Sequence, residues 1–505
     1  MASPEILSPD PTATKPPRPR RWIPISLRMF VAILVLVSVG GALWIGVRIH
    51  RNGAAIREIE RLAGEFQNKP GGPSWLLHSP IGQWVGLAFA DVPYIRMSGR
   101  PLTDESFATI TLLPGIETLY LDKTQITDTS LPKLIRSRKL LALGLEETRI
   151  TDEGLQRLAT LKNLQALYLG RNQITDRGVA ALKAMTGLKR LHLNQTLVTD
   201  VGLDVLSDFV NLEELSLGDT QITDTGLERL SRFPALRSLH LDHTRITDRG
   251  LENFRHQSNC RELYLDGTQI TDSGIAELAG MTSLERLSLA NTSLTDAGCE
   301  HLRSMKNLKV LSLAGTRITG DGLKHLEDLQ GLQILRLDKT HISDAGLAHL
   351  KGLKGLRMLH LRDTPIADSG LEQLKDLTAL TELFLERTRV TDRGLAHLRT
   401  MASLRLLWLH GTETRDTGLV HLNRLTALRC LSLDDTPVTD AGIANLAGLI
   451  QLHELSLNRT QITDAGLGYL QRMAGLEGLW LSDAPVTGNG VAELKRVLPR
   501  LKVQR

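Results

Sequence analysis

The sequence predicts an α/β solenoid, with a curved parallel sheet on its concave face, short helices on its convex face and one transmembrane helix in front. Three observations predict it. A signature that reads Ile-Thr-Asp-x-Gly-Leu in its cleanest form returns every 24 residues, from a weak first copy at Leu102 to Val486, seventeen times in all. Ahead of each copy two apolar residues flank an outward one, as in Leu167-Tyr168-Leu169. Near the N-terminus, Met29 to Val47 runs nineteen residues without a charge.

The period-2 alternation makes Leu167-Tyr168-Leu169 a short strand with Tyr168 pointing away from the core. One strand per unit implies a parallel sheet. From Thr175 the spacing turns helical, with Val179, Leu182 and Met185 three apart and an oxygen from Asp176 or Thr175 available to cap the first amides. A single unit buries too few aliphatic side chains to offset its own ordering entropy, so neighbouring units must stack and share a core. Apolar residues in L-x-x-L-x-L order at a fixed 24-residue period identify leucine-rich repeats. Helices are wider than strands, which bends the stack into an arc with the sheet inside.

Three columns repeat for structural reasons. Thr stands three residues after the second strand leucine from Thr124 to Thr460, with Asn172 as the departure, and its hydroxyls are expected to bond amides or carbonyls of the adjacent coil. The Asp column, from Asp104 to Asp464 and broken at Gly320 and Gly488, gives one carboxylate per coil at a helix start, too few converging oxygens for calcium. Gly two residues after each Asp costs about 1 kcal/mol inside a helix, so its recurrence predicts a close approach of neighbouring turns.

Formal net charge is +4, and residues 1–51 carry seven basic side chains against Glu5 and Asp10, which is +5 and leaves −1 for the remainder. A near-neutral solenoid without a basic stripe argues against nucleic acid as a partner. Cys260, Cys299 and Cys430 lie in different coils without metal or redox spacing. The first two take positions that other coils give to leucine, and Cys430 is expected on the concave side.

In chain order, residues 1–28 read as a disordered basic, Pro-rich tail and residues 29–49 as a transmembrane helix. Nineteen residues at 1.5 Å each match a bilayer core of roughly 28 Å. A cleaved signal peptide competes, with Gly40-Gly41-Ala42 as its small-residue site, but the apolar Leu43-Trp44-Ile45 continues beyond it and favours an uncleaved anchor. Five basic residues before the span and four just after it bias the N-terminus to the cytoplasm and the solenoid to the exoplasmic or periplasmic side of the cell membrane. Residues 50–94 read as a juxtamembrane helix and N-terminal cap, with Ile56, Ile59, Leu62 and Phe66 on one helical stripe and Trp75, Leu76, Leu77, Ile81 and Trp84 following. The solenoid takes residues 95–505, closed by a C-terminal cap in which Val503 is in register with Leu479.

The anchor, then Ala54-Ala55-Ile56-Arg57-Glu58-Ile59, Pro73-Ser74-Trp75-Leu76, the Thr-x-Ile-Thr-Asp-x-Gly-Leu repeats and the closing Leu498-Pro499-Arg500-Leu501-Lys502-Val503 together resemble the membrane-anchored leucine-rich repeat proteins of planctomycete bacteria. That resemblance implies the architecture and leaves function open. The repeats alone are similar to those of F-box substrate receptors in eukaryotic ubiquitin ligases, which would imply a substrate-receptor role, but no F-box precedes them here.

Function must reside in residues that the periodicity leaves free. Two outward columns become apolar together, placing Val310, Ile334, Met358 and Leu406 beside His360, Phe384 and Trp408, edged by Arg336, Arg362, Glu386, Arg387 and His410. A contiguous apolar surface with a polar rim has the form of a protein-binding hot spot, although neighbouring outward side chains also stack on one another at sheet spacing. A more polar set, Tyr120, Tyr168, His192, His240 and Tyr264, suits a glycan or peptide. Thr414 stands at a buried Ile position next to Arg415, where Thr is usual. The convex histidines His301, His325, His349, His397 and His421 come one per coil without converging carboxylates or thiols, a product of duplication more than a zinc site. No phosphate loop, nucleophile elbow or metalloprotease motif is present. The sequence therefore predicts no catalytic residue, metal or cofactor, and a membrane-anchored, non-catalytic module that binds a protein partner on its concave face. The alternative is a structural or adhesive spacer of the cell envelope that binds glycan or like copies.

Overall fold

The computed structural model describes residues 27–69 and 82–505. The tail to residue 26 and residues 70–81, including Trp75, Leu76, Leu77 and Ile81, lie outside the described residues. Helix α1 (Leu27–Arg61) carries the apolar run and the juxtamembrane stripe without a break. Its outer part is exposed, while Ala55, Ile56, Ile59 and Leu62 are buried against the first coil. From α1, Asn52 Nδ2 donates at 2.7 Å to Leu87 O of helix α2 (Gly82–Phe89).

The stripe ends earlier than its spacing suggests. Ala63 adopts φ 54, Gly64 N–H donates back to Ile59 O at 2.8 Å and Ala63 N–H to Glu60 O at 2.9 Å, which together close the helix in a Schellman turn. Phe66 consequently leaves the helix. It sits in β1 (Glu65–Lys69), antiparallel to β2 (Asp91–Arg96) with Phe66 opposite Ile95.

From β2 onward every coil adds one parallel strand, from β3 (Thr118–Tyr120) to β19 (Lys502–Gln504), and the described residues form one sheet of 19 strands. The register never slips. Each central leucine faces its counterpart in the next coil, as Leu287 faces Leu311, and Val503 closes the series opposite Leu479. Behind the sheet the strand leucines, the signature Ile and the helix leucines form one continuous core, with Cys260 and Cys299 fully buried in it. Burial pushes both thiols up to about 12.

The Asp and Gly columns, with the Thr that precedes each Asp in the signature, resolve into one device that joins coil to coil, distinct from the Thr124–Thr460 column. Asp152 accepts from the next coil, Thr175 N–H at 2.9 Å through Oδ1 and Thr175 Oγ1–H at 2.6 Å through Oδ2. Thr175 Oγ1 in turn accepts from Arg177 N at 3.2 Å and caps its own helix. Gly178 leaves room for this carboxylate, because a Cβ there would lie 2.3 Å from Asp152 Oδ1. Where the Thr is lost, a hydroxyl two residues on replaces it: Ser369 beside Ala367 bonds Asp344, and Thr417 beside Arg415 bonds Asp392. The turn at Thr414 is therefore unaltered. Thr414 is fully buried and accepts from Thr412 Oγ1 at 3.0 Å. Where the Asp is lost at Gly320, the backbones close in until a Cβ on Gly346 would lie 2.2 Å from Gly320 Cα, and that coil has only a 3-10 turn, Gly346–Leu350.

The other Thr column behaves differently from its sequence reading. Its hydroxyls bond within their own coil, as Thr316 Oγ1 donates to Leu313 O at 2.6 Å, since a short side chain three residues past the strand reaches its own carbonyl first. Asn172, one atom longer, does cross, donating to Leu145 O at 2.7 Å and accepting from Thr148 N at 3.1 Å.

Candidate functional site: the outward face of the sheet

Strand register decides which outward side chains are neighbours. Val310 faces Ile334 and Ile334 faces Met358, but Met358 faces Glu382, which in turn faces Leu406. The apolar column is thus three residues long, with Leu406 set apart beyond a carboxylate. All four apolar residues are half-buried. The adjoining column is continuous. His360 stacks on Phe384 at 4.0 Å between ring centroids and 17°, and Phe384 meets Trp408 edge-on at 5.3 Å and 70°. Trp408 remains 40% exposed at the end of this run. Rings at these separations and angles hold one another in place.

Around the rings three basic side chains have carboxylate partners. Arg362 Nε lies 3.2 Å and Arg387 Nη1 3.4 Å from the Asp363 carboxylate, and His410 Nδ1 lies 3.3 Å from Asp435. Arg336 is exposed. His360 Nδ1 stands 3.6 Å from Asp338 Oδ2, beyond hydrogen-bond reach. Burial and the nearby Arg336 charge depress the His360 pKa to about 4, and burial raises that of Asp338.

A second feature lies toward the C-terminus. Trp408 faces Ser432, Ser432 faces Ser456 and Ser456 faces Trp480, so two serines floor a slot between two indoles. Three strand steps separate the rings, roughly 14 Å at about 4.8 Å per step. The cavity is about 390 Å³ and extends to Glu386, Cys430, Asp434 and Glu454. Gly478 lets the Trp480 ring fold over its own strand, since a Cβ there would lie 2.7 Å from Cη2. Burial, with the Glu454 carboxylate beside it, pushes the Cys430 thiol up to about 11. The patch expected from sequence thus shares Trp408, Arg362, Arg387 and His410 with this slot, while Val310, Ile334 and Met358 lie apart from it. Sequence reading missed Ser432, Ser456 and Trp480 as a unit. Their signal was two small residues between two tryptophans in one column.

The polar set forms its own ring run. Tyr120 and Tyr168 approach to 6.1 Å across Gly144, Tyr168 meets His192 at 4.7 Å, and His240 stacks on Tyr264 at 4.1 Å. His192 Nε2 lies 2.8 Å from Glu214 and Nδ1 3.4 Å from Glu146. Burial opposes charge on this ring, but the two carboxylates prevail and hold its pKa near 9. Among the described residues no group of three or more His, Cys, Asp or Glu is placed to hold a metal ion.

Models of the leucine-rich repeat match residues 162–222 and, in a second form, residues 234–254 and 304–326. With the unbroken parallel sheet this decides the fold. The chain folds as a leucine-rich repeat solenoid. No curated protein matches it. Among solved structures this chain is similar to a leucine-rich repeat protein from Leptospira interrogans, at 20% identity and TM-score 0.54 over 74% of this chain and 98% of that one. It is also similar to the mouse RP105/MD-1 complex, at 16% identity and TM-score 0.51 over 80% and 84%. An internalin from Listeria monocytogenes matches at 25% identity and TM-score 0.49 over 59% and 82%.

Proposed function

We propose that this leucine-rich repeat protein is a membrane-anchored, non-catalytic module that holds a protein partner on its concave face. The observation that carries the reading is the ring run His360-Phe384-Trp408 beside Val310, Ile334 and Met358, with Arg336, Arg362, Arg387 and His410 at its edge. Half-buried apolar groups within a polar rim make the kind of surface that contributes most to protein association. A chain of similar fold occurs in the mouse RP105/MD-1 complex.

Anchoring rests on helix α1, whose segment from Met29 has a mean hydropathy of 2.5 and whose apolar window is 0% buried. A signal sequence has the same character. In the reading proposed here the helix stays, the N-terminus is cytoplasmic and the solenoid lies outside. Protease treatment of spheroplasts tests this, since the solenoid should be digested while the membrane is intact. Protection of the solenoid would reverse the orientation. For partner binding, capture from native membranes is compared between wild type and Ile334→Asp combined with Phe384→Ala. The proposal expects captured proteins to be lost from the variant. An unchanged set would refute it.

A further inference from the structure

The slot between Trp408 and Trp480 is lined by three carboxylic side chains, Glu386, Asp434 and Glu454. Glu386 lines it at 5% exposure, and its Oε2 is buried without a hydrogen-bond partner among the described residues. An unpaired buried carboxylate is costly unless a cation or donor comes to meet it. The basic groups nearby do not meet it, since Arg362 and Arg387 are drawn to Asp363 and His410 to Asp435. Asp434 is satisfied by Ser456 Oγ–H at 2.6 Å and Asn458 N–H at 2.8 Å. Among the described residues Glu454 has only the Cys430 thiol, at 3.5 Å. Glu386, one coil before Trp408, is therefore buried without a partner at one end of the slot, and the exposed Glu454 stands between the two indoles.

Indole faces attract cations more strongly than any other aromatic side chain. A guanidinium or ammonium entering here would meet an indole on one side and a carboxylate on the other, and the serine floor leaves it room. An anionic ligand would face both free carboxylates, and a purely apolar one would leave Glu386 unpaired. We infer that the slot between Trp408 and Trp480 takes an arginine or lysine side chain presented by the partner protein, with Glu386 as its buried counter-charge. The inference rests on the concave-face reading and specifies the chemistry of one anchor in it. Burial raises the Glu386 pKa, while Arg362 partly opposes this.

The test uses the full chain in detergent micelles and three probes, followed by indole fluorescence and calorimetry. They are acetyl-Gly-Arg-Gly-amide, its citrulline counterpart, which has nearly the same shape without the charge, and chitotriose. The arginine peptide should bind at least about tenfold more tightly than the citrulline peptide, given a cation–π contact and a charge-assisted hydrogen bond. Glu386→Gln should remove about that factor for arginine and leave citrulline unchanged. Ser456→Trp should abolish binding by filling the slot, with an unaltered circular dichroism spectrum as the check on folding. Equal affinity for the two peptides, no binding of either, binding of chitotriose alone, or indifference to Glu386→Gln would each overturn the inference. Glu386→Gln leaves Ile334 and Phe384 in place. Capture that is sensitive to those two residues but not to Glu386 therefore sinks the cation slot and spares the broader reading.

Discussion

Replacing Gly274 with Ala should break the junction between two coils, and the structure sets the size of the effect. The added Cβ would lie 2.3 Å from Asp248 Oδ1, a separation that no real contact has. Asp248 must swing away, and it then loses Thr271 N–H at 2.8 Å and Thr271 Oγ1–H at 2.5 Å. Hydrogen bonds to a charged acceptor contribute about 1.5–3 kcal/mol each, and the better helix propensity of Ala returns about 1 kcal/mol. The net loss should be about 2–5 kcal/mol. Asp248→Ala loses the same two bonds, but in that background Gly274→Ala has nothing to strike and should be neutral or slightly stabilising. A double-mutant cycle should accordingly give a coupling of about 3 kcal/mol. Long arrays unfold in segments, so urea unfolding is paired with amide exchange at Thr271, which should lose protection in either single variant. Additive effects, or full protection of Thr271 in Gly274→Ala, would refute the ladder as the joint between coils.

Other perturbations probe the same framework. Gly346→Ala sets a Cβ 2.2 Å from Gly320 Cα, whereas Gly280→Ala meets nothing within 4 Å. The first should cost about 3 kcal/mol or more because backbone has to move, and the second should be neutral or gain about 0.5 kcal/mol, both read from thermal unfolding. His192 has a native pKa raised from 6.5 to about 9, so its ionised pairing stabilises the fold fully below about pH 6.5 and fades as pH climbs through 9. His192→Gln should therefore lower the unfolding midpoint at pH 6 and change it little at pH 10. With thiols at about 12, 12 and 11, Cys260, Cys299 and Cys430 should resist iodoacetamide at pH 7.5 in the native protein and react once it is unfolded, as mass spectrometry would report.

The fold was legible because repetition multiplies a weak signal. A three-residue strand such as Leu167-Tyr168-Leu169 carries little information alone, yet the same alternation at constant spacing admits a single register. The end of the first helix was less legible, since Phe66 continues the apolar stripe of Ile56, Ile59 and Leu62, and only the left-handed turn at Ala63 diverts it. The partners of the Asp and Thr columns were hidden for another reason. A carboxylate at a helix start serves its own amides or the next coil equally well by spacing, and the distance between coils decides. At the candidate site, the columns named Phe384 and Trp408 correctly as outward residues. They did not reveal that Glu382 divides the apolar column, or that the pair of serines before Trp480 opens a slot, because each depends on reading across strands and not along them.

The central claim is that the outward ring column is where a partner protein sits. A photo-crosslinking residue placed at position 384 in native membranes, with one at position 300 on the exposed helical side as control, tests it most directly. The account predicts a discrete protein adduct from position 384 and none from position 300. Equal labelling from both positions, or no adduct at 384 on intact membranes, would contradict it.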